Sequence, residues 1–227
     1  MTHRLLNKSD EKRAAKHAVP AWARGVWKRT RLRHEGGIER TTRVIWVQTP
    51  LLFADIRVPG LKDEEGREEG FSGHLEVRGQ ICSWKRPIDL HPVGEPGDEG
   101  AMFRVGDDML EAGIHANYVE DWKLIGAPEP HLAMTRGAAC RITAAGLSWP
   151  VGEPLEIVVA CDGHIVHAWR QKGGDGLCYH VLNPQTDSLR PRYHVGTPRE
   201  EAARGSWRVW STSLDERGVA ALCEMLD

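Results

Sequence analysis

The chain has 227 residues, of which 30 are basic and 32 acidic, so its formal charge is only −2. A balanced charge disfavours nucleic acid as a partner, because phosphate backbones are bound through clustered basic faces. No run of about 18 apolar residues occurs, which excludes a transmembrane helix, and we expect no membrane partner.

The first segment, residues 1–19, is charged and rich in alanine, and we interpret it as a tail or a short helix that ends before Pro20. It contains no apolar run typical of a signal peptide. The whole chain has five cysteines, an odd number without a C-x-x-C pair, which is typical of free thiols in a reducing compartment. We therefore expect a cytoplasmic protein.

From residue 20 onward the hydrophobic pattern alternates with a period of two, which indicates β-strands. The stretches TRVIWVQ and LLFADIRVP flank a turn at Thr49 and Pro50 and predict two paired strands. Residues 61–70, LKDEEGREEG, predict a solvated loop whose length would let it cover a barrel mouth. Similar strand-like stretches continue to GSWRVWSTS, and Asp162–Gly163 is the strongest hairpin signal among them.

The end of the chain has a helical pattern instead. Ser213 and Glu216 have the spacing of a capping box. The apolar residues that then share one helix face are Val219, Leu222, Cys223 and Leu226. We therefore predict a helix over residues 214–226, after roughly ten to twelve strands, a number that favours a sandwich or a closed barrel.

Two strands carry a first candidate cluster. Alternation places Trp46 and Gln48 on one face of the first strand, and Asp55 and Arg57 on one face of the second. These four side chains point inward if the apolar residues between them pack against another layer. The alternative is that Asp55 and Arg57 face solvent and form a modest surface contact.

The stretch EAGIHANYVEDW carries a second candidate cluster. On a strand, Tyr118, Glu120 and Trp122 share one face, while Glu111 and His115 belong to the adjoining strand end and turn. A carboxyl group buried beside Trp and Tyr has its charged form disfavoured, so its pKa rises and it can act as a general acid or base near neutral pH. The same residues also fit a structural network in which tyrosine bonds the carboxylate and tryptophan packs over both.

Sites of other kinds find little support. The H-x-x-H spacing of His164 and His167 places the two rings on opposite faces of a strand, so we expect no metal site there. No glycine-rich phosphate loop and no G-x-S-x-G element occurs. A single histidine such as His167 or His180 could ligate a haem iron, although a hydrogen-bonded core or surface histidine is far more common. We therefore expect no cofactor, with haem as a minor alternative.

The motifs W-x-Q…A-D-I-R-x-P and E-x-G-x(4)-Y-x-E-x-W, together with C-S-W-K-R-P-I-D, resemble those of a largely uncharacterised family of lipocalin-like, calycin-type β-barrels. The resemblance spans roughly residues 20–125 and implies a barrel fold with an interior pocket. The recurring polar and aromatic residues it implies are Trp46, Gln48, Asp55, Arg57, Trp84, Asp89, Glu111, Tyr118, Glu120 and Trp122. Charges inside a barrel are costly unless they are paired, so the resemblance favours an interior functional cluster.

The predicted fold is therefore all-β: one domain over residues 20–227, forming a lipocalin-like antiparallel barrel of about ten strands with a short C-terminal helix. We expect it to bind a small molecule in the barrel interior. The favoured function is a metal-independent lyase, hydrolase or isomerase acting on a partly apolar cyclic or aromatic compound. The alternatives are a non-catalytic carrier, for haem among other ligands, and an interaction module with a filled barrel. A homodimer is possible with each of these functions.

The favoured function assigns a catalytic or binding role to each candidate residue. We expect Glu120 and His115 to act as acid and base, and Tyr118 to donate a hydrogen bond to developing negative charge. Arg57, oriented by Asp55, would hold an anionic group. The remaining ligand-binding candidates are the apolar walls Trp46, Trp84 and Trp122, and the polar residues Gln48, Glu111 and His167.

Overall fold

The computed structural model describes residues 3–60, 67–137, 140–143, 146–183, 185–186, 188–200 and 202–227. The elements of the first half are β1 (His3–Leu5), α1 (Lys8–Ala15), a 3-10 turn (Ala21–Ala23), β2 (Gly25–His34), β3 (Gly37–Glu39), β4 (Arg43–Gln48), β5 (Phe53–Val58), β6 (Glu69–Arg78), β7 (Ile81–Asp89), β8 (Asp98–Val105), β9 (Asp108–Gly113) and β10 (Tyr118–Gly126). Positions 61–66 of the predicted loop at 61–70 lie outside the described residues.

The elements of the second half are β11 (His131–Gly137), β12 (Arg141–Thr143), β13 (Gly146–Ser148), β14 (Leu155–Cys161), β15 (His164–Gln171), β16 (Gly174–Asn183), β17 (Ser188–Gly196), β18 (Trp207–Thr212) and α2 (Glu216–Leu226). Among the described residues, no helix is long and apolar enough to cross a membrane.

Eight strands close into an antiparallel barrel. Hydrogen-bonded neighbours follow the order β2, β4, β5, β6, β7, β8, β9 and β10, and β10 pairs back onto β2. Tyr118 lies opposite His34 at one end of that closing pair, and Lys123 lies opposite Lys28 further along. Closure leaves no free edge on these strands, and side chains alternate between the interior and the outer face. The all-β class, the lipocalin-like barrel and the short C-terminal helix are thus confirmed.

The second half of the chain forms a separate sheet instead of adding strands to the barrel. Its order is β1-β18-β11-β14-β15-β16-β17, and β1 runs parallel to β18. One face packs on the outside of β4 and β5, so these two barrel strands are buried on both faces. The residues that form this shared core include Val47, Ala54, Ile56, Ile157, Val159, Val166, Ala168 and Leu177. The barrel therefore has eight strands rather than about ten.

Helix α2 covers the opposite face of the second sheet. The side chains that form its apolar face are Val219, Leu222, Cys223 and Leu226, as the period of 3.6 predicts. The cap differs from the prediction: Asp215 Oδ1 accepts a hydrogen bond from the Gly218 N–H at 2.8 Å. The hydroxyl of Ser213 accepts one from the His131 N–H at 2.8 Å, and this contact with β11 takes the place of a capping contact.

Aromatic side chains fill part of the barrel interior. Trp46 is at the centre of this aromatic layer, with its ring centroid 6.3 Å from Trp27, 6.2 Å from Trp84 and 5.7 Å from Trp122. Stacked and edge-to-face indoles at these distances pack favourably without leaving a void. The remaining interior is open and is lined by charged and apolar side chains.

Candidate functional site

The open part of the barrel interior is a cavity of about 510 Å³. This volume is within the range of small-molecule sites. The side chains of its wall are Arg29, Leu32, Arg57, Phe71, Arg86, Asp89, Tyr118 and Glu120. Those nearer the open end include His34, Glu39, Arg67, Glu69, His91 and Asp98. The cavity thus combines buried charges with apolar surface.

Glu120, on the inner face of β10, is the central charged residue of this wall and is only 3% exposed. Arg29 donates to Glu120 Oε1 at 2.6 Å and, through its other terminal nitrogen, to Glu39 Oε2 at 2.9 Å. The second carboxylate oxygen, Glu120 Oε2, is buried and has no hydrogen-bond partner among the described residues. Leaving such an acceptor unpaired is costly, so a donor that a bound compound brings to Oε2 would stabilise this carboxylate.

Asp55 and Arg57 of β5 also face the interior, so the solvent-facing alternative is wrong. Arg57 Nε donates to Asp55 Oδ1 at 2.8 Å, and Arg57 Nη1 lies 3.9 Å from Glu120 Oε1. Burial opposes charge on this guanidinium, but Asp55 and Glu120 outweigh it and raise the pKa of Arg57 above its ordinary value. Arg57 is therefore a charged group that the protein already neutralises.

Another part of the wall comes from β6 and β7. The Arg86 guanidinium lies 3.5 Å from the centroid of the Phe71 ring, in cation–π contact. Arg86 also pairs with Asp98, and its Nη1 lies 3.6 Å from Asp89 Oδ2. Burial lowers the pKa of Arg86, although Asp89 opposes this effect. Arg86 Nε is buried without a hydrogen-bond partner in the part of the chain that the structure describes.

Glu111 lies behind Tyr118, and β9 places it opposite Glu120 of β10. The Tyr118 hydroxyl donates to Glu111 Oε1 at 2.8 Å, and the Trp122 indole N–H donates to Oε2 at 3.2 Å. Burial, together with the neighbouring charge of Glu120, raises the pKa of Glu111 to about 8. Two adjacent carboxyl groups therefore differ, because Glu120 is ion-paired and Glu111 is largely protonated at neutral pH.

Several of the residues predicted for the site lie elsewhere. His115 is in the turn between β9 and β10, where its Nε2 lies 3.0 Å from Glu99 Oε2, and it does not line the cavity. Gln48 donates to the backbone carbonyl of Thr49 at 2.8 Å and belongs to the β4–β5 turn. The three predicted tryptophan walls, Trp46, Trp84 and Trp122, lie in the aromatic layer.

His167 is outside the barrel, on β15 of the second sheet. Its Nε2 lies 2.7 Å from Glu156 Oε2, an atom that also accepts from Arg136 at 3.0 Å. Burial lowers the pKa of His167, while Glu156 opposes this. The prediction of His167 as a ligand inside the barrel is therefore wrong. In the described ranges, no cluster of three or more His, Cys, Asp or Glu side chains is arranged to hold a metal ion.

Sequence reasoning missed Arg29, Phe71 and Arg86. Arg29 follows Trp27 by two residues on β2 and shares its inward face, which is a signal available in the sequence. Arg86 is part of the C-S-W-K-R-P-I-D motif, but a charged residue on a strand ordinarily faces solvent. Only the closed barrel shows that both point inward.

Fold and site together define a lipocalin-like, closed eight-stranded barrel with a polar interior cavity. No protein-family model and no curated protein sequence matches the chain. Among solved structures, the chain is similar to the crystal structure of the uncharacterised protein YLR301w from Saccharomyces cerevisiae, with a TM-score of 0.58 and 11% sequence identity. The similarity covers 83% of this chain and 98% of that one, and it shows a shared fold.

Proposed function

We propose that the barrel binds a small, partly apolar cyclic compound and transforms it by acid–base chemistry. The observation that carries the proposal is Glu120, a buried residue of the wall of the 510 Å³ cavity whose carboxylate oxygen Oε2 has no donor among the described residues. An oxygen in this position is suited to take a proton from a bound compound. The resemblance to lipocalin-like barrels supports an interior pocket as the site.

The neighbouring groups can supply the complementary acid. Glu111 is largely protonated, and Tyr118 connects it with the cavity through the 2.8 Å hydrogen bond between them. If Tyr118 gives its proton to the compound, Glu111 can replace that proton, while Glu120 accepts one from the compound. These two transfers balance an isomerisation, because the compound loses one proton and gains one, and the starting state returns when the proton on Glu120 passes to Glu111 through solvent. Two carboxyl groups in different protonation states are the arrangement that such chemistry requires. We therefore propose Glu111, in place of His115, as the partner of Glu120.

Binding is tested first by a ligand-observed NMR screen of cyclic ketones, lactones and aromatic esters against the full chain. Leu32 lines the cavity, so Leu32→Trp should fill it and abolish binding of the compounds that the wild type retains. Val151, which is 95% exposed, provides the matched control Val151→Trp. If no compound in the screen binds, or if Leu32→Trp binds them as well as the wild type, the proposed site is wrong.

Catalysis is tested by Glu120→Gln, which removes the base and keeps the size of the side chain. For a compound that the wild type converts, we expect the rate to fall about a hundredfold or more, the usual contribution of a general base. Affinity for that compound should change far less. The control is Glu224→Gln on the exposed face of α2. A variant with wild-type turnover would rule out Glu120 as the base.

A non-catalytic carrier is the second candidate function. The observation that favours it is the internal pairing of the cavity charges, such as Arg29 with Glu120 and Arg57 with Asp55. A carrier needs such pairing to keep its interior stable and needs no proton transfer. Under this function the compounds that bind are recovered unchanged after long incubation, and Glu120→Gln alters only their affinity.

We also propose a cytoplasmic location, with the small molecule as the partner. All five cysteines are free, and burial raises the pKa of Cys82, Cys140 and Cys161 to about 12. Thiols of this kind suit a reducing compartment and are poorly reactive. Cell fractionation with thiol trapping checks this location, and recovery from an oxidising compartment with blocked thiols would contradict it.

A further inference from the structure

The charges that line the cavity are already balanced by one another. The lining contains four arginines against five carboxylates, namely Arg29, Arg57, Arg67 and Arg86 against Glu39, Glu69, Asp89, Asp98 and Glu120. Each guanidinium has a carboxylate partner: Arg29 with Glu120 at 2.6 Å, Arg57 with Asp55 at 2.8 Å, Arg67 with Glu69 at 2.9 Å, and Arg86 with Asp98. An anionic ligand would have to displace one of these partners, which leaves a buried carboxylate unpaired.

Two buried polar atoms, which belong to side chains that line the cavity, have no protein partner among the described residues. Glu120 Oε2 is an acceptor on β10, and Arg86 Nε is a donor on β7. Both side chains are well buried, with 4% and 11% of their surfaces exposed. A ligand would pair with these atoms through the opposite groups: a donor toward Glu120 and an acceptor toward Arg86.

The barrel order separates these two atoms. Strands β7 and β10 are three steps apart in an eight-stranded barrel, so Glu120 and Arg86 approach the cavity from different sides. The donor and the acceptor of the ligand therefore lie at separate ends of the molecule. Leu32 and the ring of Tyr118 also line the cavity and provide apolar surface for the part between those ends.

We infer that the ligand is an uncharged cyclic compound with an O–H or N–H donor at one end and a carbonyl-type acceptor at the other. Carboxylates and phosphates are disfavoured, so we infer that Arg57 does not hold an anionic group of the ligand, in contrast to the expectation from the sequence. This inference rests on the proposed function, that the cavity binds a small molecule, and it names the chemical class of that molecule.

Four probe compounds of similar size test the class on the full chain by isothermal titration. They are 4′-hydroxyacetophenone, which has both groups; 4-ethylphenol, which lacks the acceptor; 4′-methoxyacetophenone, which lacks the donor; and 4-hydroxybenzoate, which is anionic. We expect 4′-hydroxyacetophenone to bind tightest and each of the others to bind about tenfold more weakly or worse, the factor that corresponds to about 1.4 kcal/mol.

Two variants test which end of the ligand contacts which residue. The readout is the ratio between the affinities of one variant for two probes, because loss of stability alone does not change this ratio. In Glu120→Gln, an amide N–H₂ can replace Oε2, so 4′-methoxyacetophenone should bind as well as 4′-hydroxyacetophenone. In Arg86→Met, the guanidinium donors including Nε are lost, so the advantage of 4′-hydroxyacetophenone over 4-ethylphenol should disappear. Unchanged ratios in both variants would overturn the assignment.

The class itself is overturned if 4-hydroxybenzoate binds as tightly as 4′-hydroxyacetophenone, or if none of the four probes binds. In either case the proposed function survives, provided that other compounds of the wider screen bind wild type and not Leu32→Trp. Absence of binding throughout the wider screen would instead overturn the proposed function. Tightest binding by 4′-hydroxyacetophenone, with both ratios shifted as described, would support the class.

Discussion

Single residues decide the chemistry of the barrel interior, and the contrast between two glutamates is the clearest case. Glu120 pairs with Arg29 at 2.6 Å, whereas Glu111 contacts Tyr118 and Trp122. Burial and the charge of Glu120 raise the pKa of Glu111 from 4.5 to about 8. Folding therefore makes Glu111 take up a proton over much of the range between these values.

This proton uptake predicts how stability depends on pH. The pKa of Glu111 is higher in the folded than in the unfolded protein. The contribution of Glu111 to the free energy of unfolding is therefore highest below pH 4.5 and falls as pH rises toward about 8. Each unit of difference is worth about 1.4 kcal/mol. Glu111→Gln removes this titration. In thermal denaturation, the melting temperature of the variant minus that of the wild type should therefore increase as pH rises from 4.5 to about 8.

The matched control for that prediction is Glu224→Gln, since Glu224 is exposed on α2. Its melting temperature should follow the wild type at every pH. Parallel curves for Glu111→Gln and the wild type would mean that Glu111 does not take up a proton on folding.

The alternation of the sequence predicts which of these residues share a face of a strand, but not where that face points. A period of two correctly groups Tyr118, Glu120 and Trp122 on one face, but it does not say which face points inward. For that reason the orientation of Asp55 and Arg57 stayed open until the barrel was known. His115 lies in the turn after β9 as predicted, but its ring contacts Glu99 and does not line the cavity, which the spacing of residues in the sequence does not indicate.

At the scale of elements, a register shift in β6 shapes the wall that carries Phe71. Phe71 pairs with Asp89 and His74 with Lys85, and the shift lies between them. Gly73 sits at this point, where an added Cβ would be 1.9 Å from the Lys85 carbonyl oxygen and 2.4 Å from Pro87 Cδ. Close approach of two backbones at a bulge is a position that favours glycine.

Gly73→Ala should therefore destabilise the protein by about 1–3 kcal/mol, as overpacking of a tight site does. The shift in the urea midpoint measures this loss. The control is Gly94→Ala, because an added Cβ at Gly94 meets nothing within 4 Å, and its midpoint should stay at the wild-type value. Equal midpoints for the two variants would show that β6 and β7 do not need this close approach.

Local elements were the most predictable part of the fold. Asp162–Gly163 joins β14 and β15 as the D-G hairpin signal indicates, and both residues have positive φ, 48° and 77°. The apolar period of α2 is likewise readable from the sequence. The pairing of β10 with β2 cannot be predicted from the sequence, because it joins strands that lie far apart in the chain and depends on the closure of the whole barrel.

At the scale of the whole molecule, one hydrophobic core joins the barrel to the second sheet. Ala54 and Ile56 on the outer face of β5 pack in the same cluster as Ile157 and Val159 of β14. Alternation predicts roughly ten to twelve strands, whereas the described residues form β1 to β18, and it does not predict how these strands divide between the barrel and the other sheets. Alternation marks a strand in the same way whichever sheet it joins, so it does not say which strands pair.

This shared core predicts that barrel and second sheet unfold together. Ile157 is fully buried, so Ile157→Ala should cost about 2–5 kcal/mol. Native-state hydrogen exchange should then show the same loss of protection in β5 of the barrel as in β15 of the second sheet. A loss confined to the second sheet would mean that the two parts are independent. Val151→Ala, at an exposed site, should leave protection unchanged.

The measurement that tests the central claim most directly is a crystal structure of the full chain soaked with a compound that binds in the NMR screen. We predict that the compound occupies the barrel cavity, with a hydrogen-bond donor on Glu120 Oε2. The claim would be contradicted if the cavity stayed empty and the compound lay elsewhere, for example in the 380 Å³ pocket beside Trp169 and His180 on the second sheet.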